Sequence, residues 1–375
     1  MPAPRRILLV VGTRPEAIKM APVLDALRRR AGDAAVEVCI TRQHSELLDP
    51  VLELFAIRPR FDLALMRPNQ SLADLTANAL SALDGVYRSF EPSVVVVQGD
   101  TTTAFSASLA AFYRRIPVAH VEAGLRTADL MAPWPEELNR RLTGIVATQH
   151  FAPTERARGN LLREGVPPER IHVTGNTAVD AILGIVGRLH AESGLRTRLD
   201  REYGFLDPAR RLILVTGHRR ESMGGGFERI CAALEQLSRR SDVQILYPVH
   251  LNPNVRGPVF ALLGGRANIH LVEPVDYLAF TYLMTRSHLI ISDSGGVQEE
   301  APSLKKPVLV MRDVTERQEA VESGAVRLVG TDVERIVTGA TRLLDDSRDY
   351  ASMTGNANPF GDGRAAERIA EVLCP

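Results

Sequence analysis

The chain alternates short, β-branched apolar runs with longer segments in which apolar residues recur every three or four positions. In the first half the runs fall at 7–11, 36–41, 93–98, 118–121 and 171–174. Between them, 15–30 carries Ile18, Ala21, Leu24 and Leu27 on one helical face, and 71–90 has the same period. The run Ser93-Val94-Val95-Val96-Val97 shows no polar alternation. That is the mark of a strand covered on both faces, as in a parallel sheet flanked by helices. The pattern then restarts, with strand-like runs at 212–216, 243–249, 269–272, 289–292 and 308–311. Two β/α series of similar length predict an α/β protein of two doubly wound, Rossmann-like parallel-sheet domains facing across a cleft. The first domain is expected at 1–181 and the second at 212–363, with the charged, helical stretch 182–211 as the linker region. Residues 358–363, rich in Gly and Pro, break the chain before a last helix at 364–375, expected to pack back on the first domain.

Length agrees with this count, since 375 residues exceed the roughly 100–200 of one domain. Charge adds an exclusion. The chain has 45 Lys and Arg against 45 Asp and Glu, and so lacks the basic excess of a nucleic-acid binder. A neutral sum leaves room for a local cationic pocket. Cys39, Cys231 and Cys374 lie far apart without a CxxC, which argues against a zinc site or a disulfide scaffold. No metal and no cofactor are expected. The apolar run at 7–11 is too short for a signal-peptide core, and no run approaches the roughly 18 residues of a membrane span. The expectation is a cytoplasmic protein without a membrane partner.

In open α/β sheets ligands bind at the carboxyl ends of strands, so the residues following each run are the candidates. Gly12-Thr13-Arg14-Pro15 follows the first, placing Arg14 beside a helix N-terminus that favours anions. Neither GxGxxG nor GxxxxGK[ST] occurs, so a dinucleotide fold and a P-loop are unsupported. Asp100 follows 93–98, as a helix cap or a site carboxylate. Glu122 ends a buried strand. Glu136 and Glu137, after Pro133-Trp134-Pro135, either complement a helix dipole and pair with Arg140 and Arg141 or serve a site. In the second half His218 and Arg219 follow a strand. Ser294, Gly295 and Gly296 offer N–H groups and a hydroxyl to a phosphate, and Glu300 is placed to hydrogen-bond a ribose. The pattern suits a nucleoside diphosphate held by the second domain, its sugar toward the carboxylates of the first.

These residues lie in a longer series of motifs: GTRPEAIKMAP from Gly12, GDTTT from Gly99, HVEAGLRT from His120 and PWPEELNR from Pro133. The series continues with TGNT from Thr174, TGHRRES from Thr216, YPVHLNPNV from Tyr247, SDSGGVQEEAPSL from Ser292 and VMRDVTERQEA from Val310. With them the chain resembles the non-hydrolysing UDP-N-acetylglucosamine 2-epimerases, which share the GT-B architecture. The resemblance implies a cofactor-independent isomerase. It would interconvert UDP-GlcNAc and UDP-ManNAc through anti elimination of UDP to 2-acetamidoglucal, supplying ManNAc units for cell-surface polysaccharide.

By the same resemblance Asp100, Glu122, Glu136 and His218 form the catalytic set. Glu122 or Asp100 would transfer protons, Glu136 would be their carboxylate partner, and His218 would contact the diphosphate or assist its departure. The UDP-sugar positions carried over are Arg14, Lys19, Arg219, Phe280, Ser294, Gly295, Gly296, Glu300 and Arg317. Gln43, His44, Gln70 and His250 are the candidates for a second UDP-GlcNAc acting as activator, and a homodimer is implied. Two departures stand out: Gln98 where His is common, and the glycine-rich Met223-Gly224-Gly225 after His218. The competing readings are a hydrolysing relative that releases UDP and free sugar, a GT-B glycosyltransferase, and a nucleotide-sugar sensor without turnover.

Overall fold

The computed structural model describes residues 5–43, 45–67, 69–127, 129–217 and 225–375. They fall into two compact units, 1–181 with 361–375, and 182–360. The first unit begins with β1 (Ile7–Val11), α1 (Arg14–Ala31), β2 (Val36–Ile40), α2 (Ser45–Leu54) and β3 (Phe61–Asp62). It continues through α3 (Leu72–Phe90), β4 (Val94–Gln98), α4 (Thr102–Tyr113), β5 (Val118–Val121) and α5 (Glu136–Val146). Then follow β6 (Gln149–Ala152), α6 (Glu155–Arg163), β7 (Ile171–Val173) and α7 (Thr177–Ala191), which runs on into the second unit.

The second unit comprises α8 (Ser193–Glu202), β8 (Arg211–Thr216), α9 (Gly226–Leu237), β9 (Val243–Pro248), α10 (Pro253–Leu263) and β10 (Ile269–Val272). After these come α11 (Tyr277–Arg286), β11 (Leu289–Ser292), α12 (Gly295–Glu300), β12 (Val308–Val310), α13 (Gln318–Glu322) and β13 (Val326–Leu328). It closes with α14 (Val333–Asp345) and α15 (Ser347–Thr354), and α16 (Ala365–Leu373) belongs to the first unit.

Each unit has one sheet, ordered β3-β2-β1-β4-β5-β6-β7 and β10-β9-β8-β11-β12-β13, with parallel pairing throughout. This is the doubly wound α/β architecture expected from the pattern. All ten expected runs are strands, and the reason is burial. Val95, Val96 and Val97 are fully inaccessible, each side chain contributing about 1.5–3 kcal/mol relative to exposure. Three strands carry no such signal: β3 and β13 are two- and three-residue edge strands, and β6 reads Gln-His-Phe-Ala.

In the first unit α16 packs on α1. Asp180 accepts hydrogen bonds from the Ala365 and Ala366 amides at 3.2 and 2.8 Å, holding the start of α16. Residues 182–211, expected as the linker region, contain the end of α7 and all of α8 and group with the second unit. Strand order reverses between β1 and β4 in one sheet and between β8 and β11 in the other. A crevice opens at such a switch point, beyond the carboxyl ends of the strands. The turns after β1 and β4 carry Arg14 and Asp100, the turn after β11 carries Ser294, and Glu122 follows the neighbouring β5.

Candidate active site

In the first unit the turns after β1 and β4 are pressed together. A Cβ at Gly12 would lie 2.1 Å from the Thr103 hydroxyl oxygen and 2.7 Å from that of Thr41, so only glycine admits this approach. Glu16, in the first turn of α1 and 1% exposed, ties the turns together. Its Oε2 accepts from the Gly12 amide (3.0 Å), the Thr13 amide (2.7 Å) and the Thr13 hydroxyl (2.8 Å), while Oε1 accepts from the Thr101 hydroxyl at 2.7 Å. Burial pushes this carboxyl up to about 7, against the pull of its donors. Arg14, half-buried, opens α1 beside this network.

Lys19 lies one helical turn beyond Glu16 and reaches Glu122 Oε2 with its Nζ at 2.5 Å. Gln98 Nε2 donates to the same oxygen at 2.6 Å. Both partners of the Lys19–Glu122 pair are nearly buried, their side chains 12% and 8% exposed. Glu122 has φ of +63°, a left-handed conformation that costs a non-glycine residue about 1–2 kcal/mol. Strain of this kind concentrates at functional sites.

Asp100 pairs with Arg140 of α5 at 2.5 Å, and Asn139 Nδ2 donates to the Asp100 carbonyl at 3.0 Å. Glu137, fully buried, binds Arg141 at 2.8 Å and Arg140 at 3.5 Å and accepts from the Thr127 amide. The sequence spacing left both acids open to helix pairing; Glu137 takes that part, and Arg140 turns to Asp100. Glu136 opens α5, half-buried, following Trp134, which is 60% exposed, and cis peptide bonds before Pro133 and Pro135. His120 Nε2 donates to the Gly99 carbonyl at 2.8 Å, fixing the turn that carries Asp100. Burial pushes the His120 ring down to about 3, so it stays neutral.

In the second unit Ser294, Gly295 and Gly296 form the start of α12. A Cβ at Gly295 would approach the Arg317 guanidinium carbon to 3.0 Å, which brings two of the sequence-selected positions together. Arg317 is held by Glu299 Oε1 through Nε at 3.0 Å and Nη2 at 2.8 Å, and also by Glu316. Glu300, 8% exposed, accepts from the Tyr277 hydroxyl at 3.0 Å. Tyr277 and Phe280 are three apart on α11, and Phe280 is half-buried. Just before position 218, the Gly217 carbonyl accepts from the Tyr247 hydroxyl at 3.2 Å. His218 and Arg219 lie outside the described residues, as does His44.

Of the remaining activator candidates, Gln43 Oε1 accepts from the Thr103 hydroxyl at 3.0 Å and so borders the turn after β4. Gln70 accepts from the Arg67 amide in a local turn. His250, in the second unit, accepts from the Asn252 amide through Nδ1 at 3.1 Å. Among the described residues no cluster of three or more His, Cys, Asp or Glu side chains is placed to hold a metal ion. No described helix is long and apolar enough to cross a membrane.

Residues 25–374 match the UDP-N-acetylglucosamine 2-epimerase family. The chain belongs to this family. The UDP-N-acetylglucosamine 2-epimerase of Yersinia pestis is 58% identical over 371 residues, covering 98% of each chain. That of Escherichia coli K12 is 56% identical over 369 residues, again 98% of each. Among solved structures, the UDP-GlcNAc 2-epimerase from Neisseria meningitidis bound to UDP-GlcNAc superposes with a TM-score of 0.92 at 48% identity, covering 98% of this chain and 99% of that one.

Three further residues touch the selected positions here, Gln98, Arg140 and Tyr277, and Glu16 ties together the turns beside them. A signal existed for Glu16, because Thr13-x-x-Glu16 has the spacing of a helix capping box. Gln98 was visible only as a departure. Nothing in the sequence paired Arg140 with Asp100 or Tyr277 with Glu300.

Proposed function

We propose that this chain interconverts UDP-GlcNAc and UDP-ManNAc, an isomerase reaction that needs no cofactor. The observation carrying this reading is the Lys19–Glu122–Gln98 cluster at the switch point of the first sheet, beside the Asp100–Arg140 pair. C2–H of the sugar is next to no carbonyl, so simple deprotonation at C2 finds no stabilised anion. Breaking the anomeric C1–O bond first develops positive charge at C1 and acidifies C2–H. In the elimination the C2 proton passes to a carboxylate, its bonding electrons form the C1=C2 double bond of 2-acetamidoglucal, and the C1–O pair leaves on UDP. Re-addition returns a proton to C2 from the opposite face while a UDP oxygen rejoins C1. Carboxylates suit both halves, stabilising the cationic sugar and moving the proton.

The proton-transfer groups are drawn from Asp100 and Glu122, with Glu136 as their carboxylate partner. His218 contacts or protonates the departing diphosphate. Arg14, Lys19, Arg219 and Arg317 answer the anionic charge that develops, and Ser294, Gly295 and Gly296 offer donors to it. Glu300, oriented by Tyr277, takes the ribose hydroxyls, and Phe280 bounds the base. A second UDP-GlcNAc acts as activator near Gln43, His44, Gln70 and His250. The enzyme works in the cytoplasm as a homodimer and feeds ManNAc into cell-surface polysaccharide. Leu138 and Ile145, seven apart on α5 and 46% and 77% exposed, support an apolar contact face for the second copy.

The test is product analysis. Purified protein incubated with UDP-GlcNAc alone yields a mixture of two UDP-sugars by NMR. Accumulation of UDP and free sugar instead would replace this reading with the hydrolytic one.

A further inference from the structure

We propose that Gln98 is a positioning residue for Glu122, its side-chain amide setting the direction of the carboxylate and favouring its charged form. The inference rests on the role given to Glu122 above. Gln98 ends β4 and is 4% exposed. The β4–β5 register pairs it with Val121, one residue before Glu122. At φ of +63° the chain turns sharply at Glu122, and its Oε2 accepts from Gln98 Nε2 at 2.6 Å. Lys19 Nζ donates to that same oxygen at 2.5 Å, so two donors from two different elements anchor one carboxylate atom.

The two donors are not equivalent. Lys19 supplies charge, on a flexible stem, and belongs to the set expected to answer the substrate's anionic groups. Gln98 is neutral, does not titrate, and grows from a buried strand with little freedom to move. When substrate draws on Lys19, Gln98 remains the fixed anchor. Other titratable and charged groups on the surrounding elements include Arg14 and Glu16 on α1, Asp100 after β4, His120 on β5, Arg126 after it, and Glu136, Glu137, Arg140 and Arg141 on α5. Asp100 and Arg140 pair with each other, and His120 is spent on Gly99. Gln98 and Lys19 both donate to the Glu122 carboxylate directly.

The test compares wild type with Gln98→Met, which keeps length and removes the donor, and with Gln98→His, which restores an N–H. In Gln98→Met, kcat with UDP-GlcNAc falls about ten- to a hundred-fold, the scale of a lost hydrogen bond to a charged group. KM changes little, and the acid limb of the kcat profile moves up by about one pH unit. Gln98→His recovers a large part of both. Independently of turnover, the Glu122 carboxyl, followed by carbon-13 NMR and assigned through Glu122→Gln, titrates at higher pH in Gln98→Met. An unmoved titration would overturn the proposal, as would a loss of activity that only tracks the folded fraction. If the wild type shows no epimerisation, the functional reading fails, and the NMR titration still judges Gln98.

Discussion

Glu16 offers a prediction whose sign and size both follow from the structure. Its carboxylate accepts from two amides and two hydroxyls while 1% exposed. Glu16→Ala strands the buried Gly12 and Thr13 amides, at about 1–3 kcal/mol each, and opens a void between the turns that carry Thr13 and Thr101. We expect a loss of about 3–5 kcal/mol and a collapse of kcat. Glu16→Gln behaves differently. Its carbonyl replaces Oε2 toward the two amides, and its NH2 donates to the Thr101 oxygen.

The pH dependence separates the two states of this group. Burial raises the carboxyl from 4.5 to about 7, so the folded protein keeps a proton that the unfolded chain releases within that window. Its contribution is fully present below pH 4.5 and is lost as pH rises through 7. One pH unit corresponds to about 1.4 kcal/mol, so wild type loses about 3 kcal/mol across the window and Glu16→Gln loses none of it. Urea unfolding of the two proteins at pH 5 and pH 8 reads the difference. The variant gains on wild type by about 2.5 kcal/mol on going from pH 5 to pH 8. A stability difference that stays constant over this range would show that Glu16 is not protonated in the folded protein.

The buried histidines predict the opposite trend in acid. Burial pushes His120 down to about 3 and His150 to about 4, so both are neutral when folded and charged when unfolded. Their stabilisation is present above pH 6.5 and is lost toward pH 4. His150→Gln therefore shows a shallower decline between pH 6.5 and 5 than wild type, and an equal slope would contradict this. Tyr277→Phe leaves buried Glu300 without its hydroxyl donor. Isothermal titration with UDP should show binding weakened about ten-fold, with kcat at saturating UDP-GlcNAc little changed; undiminished affinity would remove Tyr277 from the ribose site.

Strands covered on both faces announce themselves, and 94–97 is the clearest case because four valines run without a polar residue before Gln98. β6 escapes notice for the opposite reason. Its Gln149 and His150 are polar, and its neighbours β5 and β7, not its composition, make it a strand. The candidate residues are legible as polar types at strand ends, since a parallel sheet leaves few other places for a buried carboxylate. Their partners are not. Helical spacing offers Arg140 to Glu136, yet the approach of α5 to the turn after β4 gives it to Asp100. Glu16 was readable as a local cap, but its bond to Thr101 depends on packing across 85 residues of chain. Pairings of that range come from topology and register, which no local pattern contains.

On the proposed function, carboxylates of the first unit move the C2 proton of a UDP-sugar. The most direct measurement is incubation with UDP-GlcNAc in D2O, followed by proton NMR at C2, for wild type and Glu122→Gln. Wild type should place deuterium at C2 in both UDP-sugars, and the variant should bind UDP-GlcNAc yet exchange at least about a hundred-fold more slowly. Epimer formation without deuterium at C2, or undiminished exchange in Glu122→Gln, would contradict the account.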